Sequence, residues 1–229
     1  MIDFFIGFCF LSATVILYYL SKTFYRFIAT PFTLPIIVTS LLIVLFLIIT
    51  GIPYSAYMNG GQWIDHFLGP LVVSLALPLY RQRHLIKKYS YIIFIGIWFG
   101  SFVGVLSGVL LSYTLDFDQS IIAAIAPKSV TTPVALSVAD TVGGNLSLAA
   151  IFVMIAGIGG AMFGPLMWKV GRIRHPVARG LGIGTASHAI GTAKALEDSE
   201  LTGAVSALSM TISAVIVSLI VPLILLIFS

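Results

Sequence analysis

The chain is a series of long apolar runs separated by short polar intervals. Six runs are long enough, or nearly so, to cross a bilayer as helices: Phe4 to Leu20, Leu34 to Thr50, Trp63 to Tyr80, Tyr91 to Tyr113, Leu146 to Trp168 and Ala204 to Phe228. A spanning helix needs about 20 predominantly apolar residues. Runs such as Leu34 to Thr50 and Tyr91 to Leu111 are apolar on every face, whereas the strands of a membrane barrel alternate in polarity. In hydrocarbon each backbone N–H and C=O must be paired within the chain, so these runs are helices. Two further segments, Ser120 to Asp140 and Gly180 to Asp198, are apolar enough to be buried yet interrupted by Pro, Gly, Ser, Thr and charge. They read as broken, re-entrant helices. The pattern predicts an all-α polytopic membrane protein of about six full transmembrane helices plus two broken ones.

Composition agrees. Of 229 residues, 59% are hydrophobic and only 9% charged, with a mean hydropathy of +1.10. That leaves too little polar surface to coat a water-exposed globule. The net charge of +4 comes from short clusters without aromatic interleaving, which excludes nucleic acid as a partner. The one cysteine, Cys9, lies in the first run, where a small buried hydrophobe is expected and where neither a disulfide nor a cysteine metal site can form. Asp3 stands where a secretory leader would be basic, and no small-residue cleavage site follows, so the first run is expected to be retained.

Short-loop Lys and Arg set the orientation. Lys22 and Arg26, then Arg81, Arg83, Lys87 and Lys88, then Lys169, Arg172, Arg174 and Arg179 mark three inner connections. The connections holding Gly60-Gly61-Gln62-Trp63 and Asp116 with Asp118 carry neither and fall outside, as does the N-terminus. The segment from Ser120 then has to enter and leave from the outer side, and the segment from Gly180 from the inner side. Both run from Ser through a breaker to Asp, as Ser129 to Asp140 through Pro133 and Ser187 to Asp198 through Gly191. This is the pattern of an inverted repeat whose broken helices meet near the midplane, a design used by secondary transporters. Residues 1–113 read as a helical scaffold half and 114–229 as the half carrying both hairpins, within one transmembrane domain. Gly96, Gly100, Gly104 and Gly108 recur every fourth residue and form one smooth groove, for helix packing or for a sliding surface.

Charged side chains at membrane depth cost about 2.5 to 3.5 kcal/mol on insertion scales, so each asks for a reason. Lys128 opens the first hairpin in Ala126-Pro127-Lys128-Ser129-Val130-Thr131-Thr132-Pro133, which offers a cation, three hydroxyls and backbone groups freed by proline. That suits an anion, the structural alternative being a lysine snorkelling to the surface. In the second hairpin Thr185, His188 and Thr192 share one helical face at spacings of three and four, flanked by Ser187 and Gly191. His188 could bind a carboxylate or carry a proton, though a lone histidine is also a common structural residue. Lys194 either pairs with Glu197 or Asp198 or touches solute, and Asp140 is either solvated or an ion or proton site. No zinc spacing, phosphate loop or catalytic triad is present, and His84 and His175 look like surface groups, so no enzyme, metal or cofactor is expected.

At these residues the sequence resembles the LrgB/CidB family of bacterial membrane proteins. The resemblance rests on the Ala126 to Pro133 stretch, on Phe163-Gly164-Pro165-Leu166, on Pro176 to Leu196 (PVARGLGIGTASHAIGTAKAL), and on Leu68-Gly69-Pro70-Leu71 and Leu77-Pro78-Leu79-Tyr80. It spans nearly the whole chain. It implies a multi-pass protein of the bacterial inner membrane, acting with a small holin-like partner of the LrgA/CidA type and plausibly as a homo-oligomer. It implies two functions: antiholin-like modulation of murein hydrolase export and autolysis, or carriage of small monocarboxylates such as pyruvate, glycolate, glycerate or lactate, coupled to an ion or proton. The expected solute site is Lys128, Ser129, Thr131, Thr132 and Pro133 facing Ser187, His188, Gly191, Thr192 and Lys194, with Asp140 and His188 as coupling groups.

Overall fold

The structure is a computed structural model that describes residues 2–28 and 30–228. The side chain of Asp3, used above against a leader, lies outside the described side chains. Among the described residues every regular element is helical, and five helices are long and apolar enough to cross a membrane, with a shorter apolar helix at Pro35–Thr50. The chain divides into two compact units, 1–74 and 75–229.

In the first unit α1 (Ile2–Phe27) is followed by α2 (Pro35–Thr50), α3 (Tyr54–His66) and α4 (Leu68–Ser74). α1 and α3 cross at glycines: a side chain on Gly7 would meet the carbonyl of Asn59, and one on Gly60 that of Gly7. Thr14 and Tyr57 share a hydrogen bond of 3.2 Å beside this crossing. Two expectations are corrected here. Gly60 to Trp63 is not a loop but part of α3, where Gly60 packs against Gly7 of α1; the turn falls instead at Gly51, whose φ of 66° favours glycine. Cys9 is exposed and not buried, since it lies two residues past Gly7 and so on the opposite side of α1.

The expected span from Trp63 begins earlier, at Tyr54, and is interrupted at Phe67 and Leu75. Each interruption lies three residues before a proline, Pro70 and Pro78, where a missing N–H and a crowded ring break the ladder.

The second unit begins with α5 (Ala76–Arg81) and α6 (Arg83–Lys88), and its frame is α7 (Ser90–Thr114), α10 (Leu146–Val170) and α12 (Glu200–Phe228). The frame encloses two hairpins, α8 (Gln119–Ile125) with α9 (Thr132–Thr141), and α11 (Pro176–Asp198). The first hairpin is closed at its base, where Asn145 N–H donates to Ser120 O at 3.1 Å. α11 is not one rod. A continuous helix would hold Arg179 and Asp198 about 28 Å apart, yet their side chains pair at 2.9 Å. The reversal is at His188, whose φ of 41° and ψ of −136° leave the helical region, giving a first arm (176–187) and a second arm (189–198).

Opposite entry follows from the neighbours. Tyr89, at the start of α7, packs edge-on against His175 at the base of the second hairpin. At the other end of α7, Tyr113 packs on Phe228, whose carbonyl accepts from Gln119 at the base of the first hairpin. Large side chains such as Phe99, Ile155, Leu219 and Leu226 point outward, as lipid demands and water forbids.

Candidate functional site

The four glycines of α7 are the seam on which the hairpins lie. A side chain added at Gly96 would meet Leu181 and one at Gly100 would meet Thr185, both on the second hairpin; at Gly104 it would meet Ser129 and at Gly108 Lys128, both on the first. One turn of helix, about 5.4 Å, separates Gly100 from Gly104. The two hairpins therefore approach α7 within one turn of each other, near its middle.

α10 repeats the arrangement. Gly157 faces the His188 ring, with an added Cβ only 2.6 Å from Cε1, while Gly160 faces Ser187 and Gly164 faces Ile183. Each tip side chain uses its glycine to reach a helix carbonyl. Lys128 Nζ donates to Gly104 O at 2.6 Å, and His188 Nε2 bonds Val153 O at 3.0 Å. In both cases the residue four places after the carbonyl, Gly108 or Gly157, lacks the Cβ that would block the approach. A carbonyl only accepts, so His188 carries its proton on Nε2. His188 Nδ1 receives no hydrogen bond from the described residues. Trp168, near the end of α10, lies beside Arg179 at the inner base, so α10 runs opposite to α7. Gly104 and Gly108 lie past the midpoint of α7, and Val153 and Gly157 before that of α10. Lys128 and His188 thus sit at similar depth.

The three ion pairs among the described residues are Arg81–Glu200, Arg179–Asp198 and Lys194–Glu197. None involves Lys128, which is a half-buried cation without a carboxylate partner there. Around it Ser129 is buried and Thr131 and Thr132 are half-buried. Thr131 precedes the first turn of α9 without capping it, so the N–H groups of Thr132 and Val134 end at the tip, and the second arm starts at the opposing tip. Two helix N-termini, each the positive end of its dipole, face the same level.

Lys128, Ser129, Thr131 and Thr132 lie on the tip segment of the first hairpin, and Ser187 and His188 on that of the second. The structure places the others elsewhere. Pro133 and Asp140 are exposed, Asp140 at the outer end of α9, nine residues from Thr131. Lys194 binds Glu197 at 2.6 Å on the second arm. Gly191 is buried at the fold of the second hairpin, against Ser187 and Ile183. The shared helical face of Thr185, His188 and Thr192 is corrected: the break at His188 sends each to a different helix. Thr185 faces Gly100 of α7 and His188 faces α10, while Thr192 bonds Ser206 of α12 at 2.8 Å and closes on His188 O at 2.9 Å. Sequence reading missed the carbonyls of Gly104 and Val153 and the role of Gly157. Only the fourfold spacing of Gly96 to Gly108 signalled them.

A fold of membrane-spanning helices around two opposed re-entrant hairpins defines a class, the polytopic membrane proteins with facing broken helices. Within it, residues 14–227 match the model of the LrgB-like family, and the chain belongs to that family. It is 42% identical over 215 residues to the Bacillus subtilis protein named "Uncharacterized protein YxaC", covering 94% of each chain. It is 38% identical over 223 residues to "Holin-like protein CidB" of Staphylococcus aureus, again covering 94% of each, and 34% identical to "Uncharacterized protein YwbG" of Bacillus subtilis over 92% of this chain and 94% of that one. No solved structure matches. The protein is thus a multi-pass bacterial membrane protein of the LrgB-like family.

Proposed function

We propose that the chain is a secondary carrier of small monocarboxylates of the pyruvate, glycolate, glycerate and lactate class. The observation that supports this best is the cation Lys128, held at membrane depth on the glycine seam of α7 without a carboxylate partner among the described residues. A buried charge without compensation is destabilising, and its retention fits a ligand that brings the opposite charge. The carboxylate would bind Lys128 Nζ and the N–H groups opening α9, joined by Ser129, Thr131 and Thr132. His188 Nδ1 would take a proton or bind a hydroxyl of the solute, so proton coupling through His188 is the favoured form, with the exposed Asp140 the more remote candidate. Opposed hairpins meeting midway suit exposure to one side at a time.

A second reading is favoured by the name "Holin-like protein CidB" carried by relatives at 38% identity. In it the chain is a regulatory subunit that acts with a small holin-like partner of the LrgA/CidA type and carries no solute. Uptake of labelled pyruvate, glycolate and lactate into proteoliposomes, with and without the small partner and under proton or sodium gradients, separates the two. The carrier reading expects saturable uptake abolished by Lys128→Ala and His188→Ala. Absence of uptake in every combination, from folded protein, leaves the regulatory subunit.

A further inference from the structure

Two surfaces of α10 are open in the second unit, and they differ in kind. One is lined by Ile151, Met154, Ile155, Ile158 and Met162, bulky side chains that suit lipid. The other is a groove of about 380 Å³ between α10 and the first arm of α11. Its lining is apolar except at Ser187, with the small residues Gly159, Gly160, Gly182 and Ala186 set among large ones such as Phe163 and Trp168. Gly160 lacks a side chain because Ser187 occupies that space, but Gly159 and Gly182 have nothing within 4 Å of where a Cβ would be. Glycine inside a helix costs about 0.5–1 kcal/mol relative to alanine. Packing among the described residues of this unit gives no reason for these two, so the space itself is what they keep open.

The groove has a polar end and a charged mouth. Ser187 lines it at the tip of the hairpin, is 1% exposed, and its Oγ is buried without a hydrogen-bond partner. Nine residues toward the inner end, about 13 Å along the helix, Ala178 and Ile173 form the mouth. Lys169, Arg172 and Arg174 are exposed beside it, and none of them joins an ion pair among the described residues. Arg179 is engaged at the hairpin base, bound to Asp198 and to the Ile173 carbonyl.

We propose that this groove is the water-filled inner access route to the hairpin tips. It admits a small organic anion, which the cations at the mouth concentrate and which meets its first buried hydroxyl at Ser187. The assignment of that anion as a transported carboxylate rests on the carrier reading; the existence of an aqueous anion route does not.

Single cysteines at Ala178, Gly182 and Ala186, with Leu219→Cys as a lipid-facing control, are made in a Cys9→Ser background. Inside-out vesicles are then exposed to a small membrane-impermeant sulfonate methanethiosulfonate. Because the reagent attacks hydrated thiolate, the three groove positions are expected to react at least about tenfold faster than the control. Millimolar pyruvate or glycolate should slow the reaction at Gly182→Cys and Ala186→Cys. Reaction at Gly182→Cys and Ala186→Cys no faster than at Leu219→Cys, with lipid-soluble maleimide still able to label them, overturns the proposal in favour of a lipid- or helix-covered groove. Labelling at all three positions by a chain that takes up no carboxylate retires the carrier reading and leaves the aqueous route standing.

Discussion

Lys128 and His188 are held alike, each bonded to a helix carbonyl through a gap left by glycine. Lys128 lacks a countercharge among the described residues, so the apolar isostere Lys128→Met should raise the melting temperature in detergent while abolishing uptake. Replacing buried ionic groups by packed apolar ones of similar volume is neutral to stabilising by about 1–4 kcal/mol, and the half-buried Lys128 falls at the lower end. A fall in stability would mean that Lys128 is a structural tether. Gly157→Ala places a methyl 2.6 Å from the His188 ring. It should break the bond to Val153 O, cost about 1–3 kcal/mol and lower uptake, whereas Gly159→Ala, with open space around it, should leave stability unchanged or higher; thermal melts of the pair check this. At this scale the sequence was legible where composition speaks, since a Lys and a His amid apolar residues are conspicuous. It was not legible where conformation decides. A positive φ at His188, a residue that rarely adopts one, cannot be read from spacing, and the helical face drawn through Thr185, His188 and Thr192 failed for that reason.

Among the elements, the hairpins were readable because proline, glycine and charge interrupt otherwise apolar segments, and because the Lys and Arg count left each to return to its own side. The interior packing was less so. Gly180 and Gly184 approach the carbonyls of Thr202 and Ser206 on α12, and Gly182 between them meets nothing. These three glycines look alike in sequence and differ only in which way the arm is turned. Gly184→Ala should therefore destabilise by about 1–3 kcal/mol through overpacking against rigid backbone, while Gly182→Ala should be neutral or gain up to about 1 kcal/mol. Equal effects would contradict the placement of the arm. Arg179 and Asp198 close the hairpin base at 2.9 Å. Reversing both charges should restore most of the roughly 1 kcal/mol that either reversal alone loses, as a double-mutant cycle of melting temperatures would reveal.

For the whole molecule, hydropathy and loop charge were enough to define a multi-pass helical protein, since lipid admits so few solutions. Two boundaries moved: the third span starts at Tyr54, and Gly60-Gly61 packs inside a helix, because a close glycine crossing with α1 outweighs the turn-forming tendency of those residues. Residues 90–114, assigned to the scaffold by sequence, lie in the unit that carries both hairpins. Everything functional rests on the hairpins meeting. The most direct measurement is cross-linking of Ser129→Cys with Thr185→Cys, which flank Gly104 and Gly100 on the same helix, in a Cys9→Ser background. A short bifunctional thiol reagent should join them within one chain, with protection by carboxylate. Folded protein that carries both cysteines and yields no cross-link at any spacer length would place the tips apart and remove the shared site.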